Sequence, residues 1–329
     1  MRFALQASMG VRRIAPPNPW VGCRIVSERG EVVATGVTEA PGGRHAEIVA
    51  LDEAGELGRG ATMYTTLEPC AHRGRTPPCA DRLVTAGLSR VVISLLDPDL
   101  RVCGAGAAHL AAAGIEVEIG VLAEEAEQVL RAYLTHRRSG RPYVVLKLAA
   151  SLDGRIAAAD GTSKWITGDV ARADAQELRA DSDAVLVGAG TVRMDDPRLT
   201  VRPAGSAAGH SRPRQPLRVV LGRAPKEARA KPSLDISGDP RGVLDYLGRR
   251  GVLQLLVEGG AHVAAQFHRL SLVDLYVVYL APCIMGGDDG VAMFAGPGAP
   301  SIAAAVRGTF TAVRRLGADV RLDYVAGVG

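Results

Sequence analysis

Two short segments of the chain gather residues able to hold a metal and move a proton. They are His45-Ala46-Glu47, and Glu68-Pro69-Cys70 followed after eight residues by Cys79. One imidazole and two thiolates make a ligand set that suits zinc. Three protein ligands leave the fourth tetrahedral position to water, as in catalytic rather than closed structural sites. Zinc lowers the pKa of its bound water to about 7, so a hydroxide is available to attack a ring carbon that carries an exocyclic amine. The departing ammonia needs a proton, and Glu47, two residues after His45, is placed to shuttle it. Each ligand falls near an expected helix start, where backbone N–H groups and the helix dipole favour thiolate over thiol. His45, Cys70 and Cys79 are therefore the expected metal ligands and Glu47 the expected catalytic residue.

A non-catalytic zinc site would need a fourth ligand, for which His72 and Cys23 are the candidates. The joint occurrence of both motifs on consecutive strand–helix units favours catalysis. His-x-Glu with Pro-Cys downstream is the pattern of zinc nucleobase deaminases, which separate their cysteines by two residues; here the gap is eight. The inserted loop supplies His72, Arg73, Arg75 and Thr76 beside the metal, a set suited to a substrate phosphate, or else a solvated basic turn. Asn18, ahead of Pro19 and the first strand, is placed to bond the edge of a heterocycle, or is a plain turn residue.

The elements that must position these groups alternate. Residues 20–26 and 31–37 read as a strand pair around a turn at 27–30, and residues 46–58 as a helix with Ile48, Val49, Leu51 and Ala54 on one side. Strands at 62–67, 90–96 and 115–121 alternate with helices at 79–86 and 105–113, which predicts a layered α/β domain with a mixed sheet. A helix over 124–138, with Val129, Leu130, Tyr133 and Leu134 at helical spacing, stops at Ser139-Gly140-Arg141-Pro142. That stop divides the chain into domains 1–140 and 141–329. A second alternation follows, with strands at 143–154, 183–190, 217–222, 251–257, 272–282 and 319–325 and helices at 169–180, 242–250 and 261–269. Residues 202–216 read as an exposed loop. Glu258-Gly259-Gly260 between strand and helix, and Gly188-Ala189-Gly190-Thr191, let backbone N–H groups approach a diphosphate or are equally tight turns without a ligand, since the Gly-x-Gly-x-x-Gly pattern is absent.

Bulk properties agree with a two-domain enzyme. The 329 residues are 47% hydrophobic, enough for two cores. The net charge of +4 is scattered and aromatics are only 4%, which argues against a nucleic-acid surface. There is no secretory leader pattern and no apolar run long enough for a membrane span. Five cysteines without a framework spacing point to the cytoplasm.

The segments PPNPWVGCRIV, HAEIVAL, TTLEPCAHRGRTPPC, LLDPD, SLDGRIA, WITG, DDPRLTVR and VEGG resemble the bifunctional riboflavin-biosynthesis deaminase/reductase family, from about Asn18 to the C-terminus. The resemblance implies a cytidine-deaminase-like mixed-sheet domain followed by a dihydrofolate-reductase-like α/β domain. It implies zinc-hydroxide deamination of 2,5-diamino-6-(5-phosphoribosylamino)pyrimidin-4-one to 5-amino-6-(5-phosphoribosylamino)uracil. NADPH-dependent reduction of the ribosyl to the ribityl side chain follows. It gives His45, Cys70 and Cys79 to Zn2+, Glu47 to proton donation, and Asn18, His72 and Arg75 to the deaminase substrate, a phosphorylated pyrimidine. It gives Ala149, Trp165, Thr191, Asp195, Gly260, Ala261, His262, Val263, Ala264, Ala265 and Gln266 to NADPH. Ser163, Arg179, Leu199, Arg202 and Glu258 fall to the reductase substrate. Read from the residues alone, Trp165 is equally a core tryptophan, and Lys147 and Asp153 line the same pocket. A homodimer or tetramer is implied as well. Thr38, Ala71, Asp99 and Leu100 depart from the family's usual residues, which keeps open a related pyrimidine or pteridine-like substrate. A nucleic-acid-editing deaminase is the more distant alternative.

Overall fold

Helix α1 (Arg2–Met9) opens the chain and is followed by a hairpin of β1 (Gly22–Val26) and β2 (Val32–Val37). Then come α2 (Ala46–Ala54), β3 (Thr62–Thr65), α3 (Cys79–Ala86), β4 (Arg90–Ile93), α4 (Ala105–Ala112), β5 (Glu116–Ile119) and α5 (Ala123–Ser139). The computed structural model describes residues 1–72, 77–202 and 214–327, and the chain divides into two compact units, Met1–Arg141 and Pro142–Gly329. The first unit holds one sheet in the order β2-β1-β3-β4-β5. β1 runs antiparallel to both β2 and β3, whereas β3, β4 and β5 are parallel. Since β2 and β3 are both reversed against β1, they point the same way. They release α2 and α3 from one edge of the sheet.

Packing sets how close α2 lies. A Cβ on Gly36 of β2 would stand 2.0 Å from the Ala46 carbonyl oxygen, so only glycine admits the helix at this distance. The buried side of α2 is Ala46, Glu47, Ala50, Leu51 and Ala54, which differs from the expected stripe: Ile48 and Val49 are only half-buried. Small alanines pressed on the sheet carry Glu47 inward with them. Trp20, fully buried, donates from Nε1 to the Val129 carbonyl at 3.0 Å and so ties the start of β1 to α5. Gly140, with φ 74°, caps α5 in the left-handed conformation that glycine tolerates best.

The second unit contains β6 (Tyr143–Ser151), β7 (Arg155–Ala157), α6 (Asp169–Ala180), β8 (Ala184–Gly188), α7 (Ala189–Asp195), β9 (Leu217–Leu221) and β10 (Leu234–Ile236). It continues with α8 (Pro240–Arg249), β11 (Gln254–Val257), α9 (Ala261–Arg269), β12 (Leu275–Ala281), β13 (Val291–Ala292), β14 (Gly308–Leu316) and β15 (Asp319–Ala326). Eight strands form a sheet in the order β10-β9-β8-β11-β6-β12-β15-β14. The first six are parallel, and β15 runs antiparallel to β12 and β14. Unbroken apolar runs such as Val144–Leu146 and 255–257 are what parallel strands covered on both faces require. Leu146, Leu186, Leu255 and Val257 are fully buried against Leu244 and Leu247 of α8 and Ala264 and Phe267 of α9. Among the described residues no helix is long and apolar enough to cross a membrane. Most of the 202–216 stretch read as a loop lies outside the described residues.

Candidate active sites

The shared edge of β2 and β3 assembles the first site. His45 is the N-cap of α2, Cys79 the first residue of α3, and Cys70 lies in the segment after β3. His45 Nδ1 is 3.6 Å from Cys70 Sγ and 3.3 Å from Cys79 Sγ, and the three donor atoms all lie within 4.8 Å of one another. Metal bonds of about 2.0–2.3 Å place tetrahedral zinc ligands at about this separation, so the donor set fits one ion. Among the described residues neither Cys23 nor His72 joins the group, leaving three ligands as expected for a catalytic site.

The charges are tuned together. The hydrogen bond with Cys79, joined by that with His45, brings the Cys70 thiol down to about 4. The same contact with Cys70, with burial, pushes the Cys79 thiol up. Hydrogen bonding to Cys70 raises His45 to about 9. The trio thus holds protons that a divalent cation displaces on binding. Glu47 is buried, and burial raises its carboxyl to about 7 against the opposing pull of His45.

Glu47 and His45 line a cleft of about 340 Å³ whose walls also include Asn18, Thr38, Cys70 and His72. The Nδ1 atom of His72 is buried without a hydrogen-bond partner among the described residues. Arg75 lies outside the described residues. Thr38 is buried, its Oγ1 accepting from the Val21 N–H at 3.0 Å, so it closes the hairpin as well as facing the cleft. Asp99 pairs with Arg101, and Leu100 is 92% exposed.

Glu68 is a site residue to which the sequence alone attaches no role. Its carboxylate accepts four backbone N–H groups: Oε1 from Gly106 at 2.8 Å and Ala107 at 3.1 Å, Oε2 from Asp97 at 3.1 Å and Gly104 at 2.9 Å. Glu68 thereby caps α4 and anchors the chain two residues before Cys70. A Cβ on Gly106 would stand 1.9 Å from the Pro69 carbonyl oxygen, which fixes glycine there. The position of Glu68 within Glu-Pro-Cys was the one available signal.

The second unit has a pocket of about 500 Å³ along the carboxyl ends of the parallel strands, a usual ligand position in open α/β sheets. Ala149, Trp165, Thr191, Asp195 and Gly260 line it, as do Ser163, Arg179, Leu199, Arg202 and Glu258. Gly260 N–H donates to Thr191 Oγ1 at 3.3 Å, bringing the starts of α7 and α9 together. A Cβ on Gly259 would stand 2.5 Å from Val263, so this turn needs its glycine. Arg179 Nη2 donates to Glu258 Oε2 at 2.6 Å. Lys147 also lines the pocket, its ammonium pKa lowered by burial.

Some expectations do not hold. Trp165 is 67% exposed under the Arg172 guanidinium, 4.7 Å from the ring, so it is not a core tryptophan. Asp153 does not line the pocket; its carboxylate accepts from the Met285 and Gly286 N–H groups. Of the run from Gly260 to Gln266 expected at the cofactor, Gly260 lines the pocket, and Ala261, His262, Val263, Ala264, Ala265 and Gln266 follow it along α9. Ala261, Val263, Ala264 and Ala265 are buried and His262 and Gln266 face solvent. A helix packed on a sheet turns one side to the core, leaving only first-turn N–H groups free for a ligand.

The fold and the sites define a two-domain enzyme in which a zinc-binding deaminase region precedes a reductase domain. The cytidine and deoxycytidylate deaminase zinc-binding region matches residues 1–95, and the RibD C-terminal domain matches residues 142–322. The riboflavin biosynthesis protein RibD of Mycobacterium tuberculosis is 42% identical over 99% of this chain and 96% of its own length. The Escherichia coli protein of that name is 39% identical over 99% and 98%. The solved structure of Acinetobacter baumannii RibD has a TM-score of 0.91 at 37% identity, covering 99% of this chain and 98% of its own. The Thermotoga maritima diaminohydroxyphosphoribosylaminopyrimidine deaminase/5-amino-6-(5-phosphoribosylamino)uracil reductase has a TM-score of 0.87 at 33% identity, covering 99% and 97%. This chain belongs to the RibD family, the bifunctional deaminase/reductase enzymes of riboflavin biosynthesis.

Proposed function

We propose that residues 1–140 deaminate 2,5-diamino-6-(5-phosphoribosylamino)pyrimidin-4-one and that residues 141–329 reduce the ribosyl chain of the product with NADPH. The observation that carries the first half is the convergence of His45, Cys70 and Cys79 beside buried Glu47 at the wall of one cleft, which His45, Cys70 and Glu47 line. These three residues hold zinc, which when bound supplies the Lewis acidity that makes water a nucleophile near neutral pH. Glu47, raised to about 7 by burial, both accepts and returns a proton at that pH, as general acid–base catalysis requires. Asn18 bonds the heterocycle edge, and His72 and Arg75 take the phosphate; the buried Nδ1 of His72, without a partner among the described residues, favours that role.

In the second half, the N–H groups at the start of α9 and the hydroxyl of Thr191 receive the NADPH diphosphate. Ala149, Trp165 and Asp195 flank the rest of the cofactor. Arg179 and Arg202 grip the sugar phosphate, with Ser163, Leu199 and Glu258 completing the substrate side. Alignment of the nicotinamide with the open-chain carbonyl is the main task of this pocket. Five free cysteines suit a cytoplasmic location, and a homo-oligomer is the expected state.

An assay of purified protein with the diaminopyrimidinone phosphate tests the reading. Ammonia release without NADPH, followed by NADPH oxidation when it is added, is expected. Absence of NADPH oxidation with the deaminated product would overturn the reductase half.

A further inference from the structure

Helix α5 contributes its last two turns to the deaminase cleft. Tyr133 and Arg137 line it together with Asp97, Asp99 and Arg101. The Tyr133 ring is buried, and its hydroxyl donates to Asp97, 3.1 Å from Oδ1 and 2.9 Å from Oδ2. Asp97 Oδ1 also accepts the Asp99 N–H at 2.9 Å. The Asp97 backbone N–H donates to Glu68 Oε2. Asp97 is only 7% exposed yet lines the cleft. An ionised carboxylate offers about four acceptor sites, so the shared hydroxyl and one N–H leave capacity for a donor from a ligand.

Asp99 is held just as firmly. Arg101 donates to it twice, from Nε at 2.9 Å and from Nη2 at 2.6 Å. Arg137 Nε lies 3.7 Å from Asp99 Oδ2, and its guanidinium stacks 5.0 Å over the Tyr133 ring. Asp97, Tyr133, Arg137, Asp99 and Arg101 thus form one connected wall. The two guanidinium groups offset the charges of Asp99 and Asp97 together, and with Arg101 bonded to Asp99, Asp97 is the carboxylate with open acceptor sites among the described residues. The heterocycle presents amino and ring N–H donors, the complement of such an acceptor.

We propose that Tyr133 and Arg137 are positioning residues of the deaminase, fixing the Asp97 and Asp99 carboxylates so that Asp97 accepts a hydrogen bond from an N–H of the aminopyrimidine. The proposal rests on the deaminase reading of this cleft. Tyr133→Phe keeps the buried ring and removes only the hydroxyl. KM for the aminopyrimidine phosphate should then rise about tenfold with kcat within about threefold and zinc content unchanged, the split expected when ground-state and transition-state binding are lost together. Arg137→Met should also raise KM, and Arg137→Lys should recover part of the loss. An unchanged KM in Tyr133→Phe, or a loss confined to melting temperature, overturns the proposal. If Tyr133→Phe does not fold, the Arg137 pair decides: equal, wild-type KM values in both variants overturn it. A wild-type enzyme that releases no ammonia overturns the deaminase reading itself, a result distinct from either.

Discussion

Arg179 on α6 and Glu258 at the end of β11 form an ion pair at 2.6 Å with side chains only 12% and 10% exposed. Arg179 Nη1 donates further to the Thr200 carbonyl at 2.9 Å. Arg179 Nε and Glu258 Oε1 are buried without partners among the described residues. The pair thus joins two elements of the reductase pocket and keeps polar atoms in reserve beside it.

Breaking this pair from one side strands a charge. Arg179→Met takes the guanidinium from the buried Glu258 carboxylate, leaving Lys147 as a nearby cation, at a cost of about 3–5 kcal/mol. Thermal unfolding should show the loss in the second unit, with NADPH oxidation abolished and ammonia release preserved. Arg179→Lys should retain part of the stability.

Glu68 serves four backbone donors at once. In Glu68→Gln the side-chain NH2 cannot accept, so two of those buried N–H groups lose their partner, at about 1–3 kcal/mol each. The melting temperature of the first unit should fall. Zinc retained after dialysis against a weak chelator should fall with it, since Cys70 follows two residues later.

Proton transfer and metal binding separate at Glu47. Glu47→Gln should lower ammonia release about 10²–10⁴-fold while metal analysis still finds zinc in stoichiometric amount. Chelation of the wild type should abolish ammonia release and leave NADPH oxidation with the deaminated substrate intact.

Asp153 gives a pH signature to the second unit. Hydrogen bonds from Ser151 and from the Met285 and Gly286 N–H groups hold its carboxyl at about 2, below the roughly 3.9 of an unfolded chain. A depressed carboxyl stabilises the folded state above the unfolded value, and the contribution is lost as pH falls through about 2. The stability gap between wild type and Asp153→Asn, followed by denaturant titration, should be present at pH 6 and closed near pH 2.

The strands and helices that make the sites were legible because each carries a strong periodic signal. Helix α6 and helix α9 fall at the expected residues 169–180 and 261–269, the latter directly after its glycine turn. The pattern gave no sign of α1, β7, β10, β13 or β14. Strand β14 is exposed along nearly its whole length, so no burial alternation exists to read. His45, Glu47, Cys70 and Cys79 stood out because metal and proton chemistry restricts residue type at short spacing. Tyr133 did not, since it sits in the apolar stripe of α5. Arg137 likewise reads as part of the basic run that ends that helix. Only the folded chain brings them to Asp97 and Asp99.

Strand β1 supplies no donor to the metal cluster, yet it sets the separation of the strands that lead to all three. Its pairing fixes Cys23 opposite Gly36 on one side and Thr65 on the other. Side chains alternate between faces along a strand, so a one-residue slip would exchange inside for outside. The affinity of the centre for its ion is therefore written partly in a strand that never touches it. A change of register in β1 would therefore be felt at the metal as well as in the core.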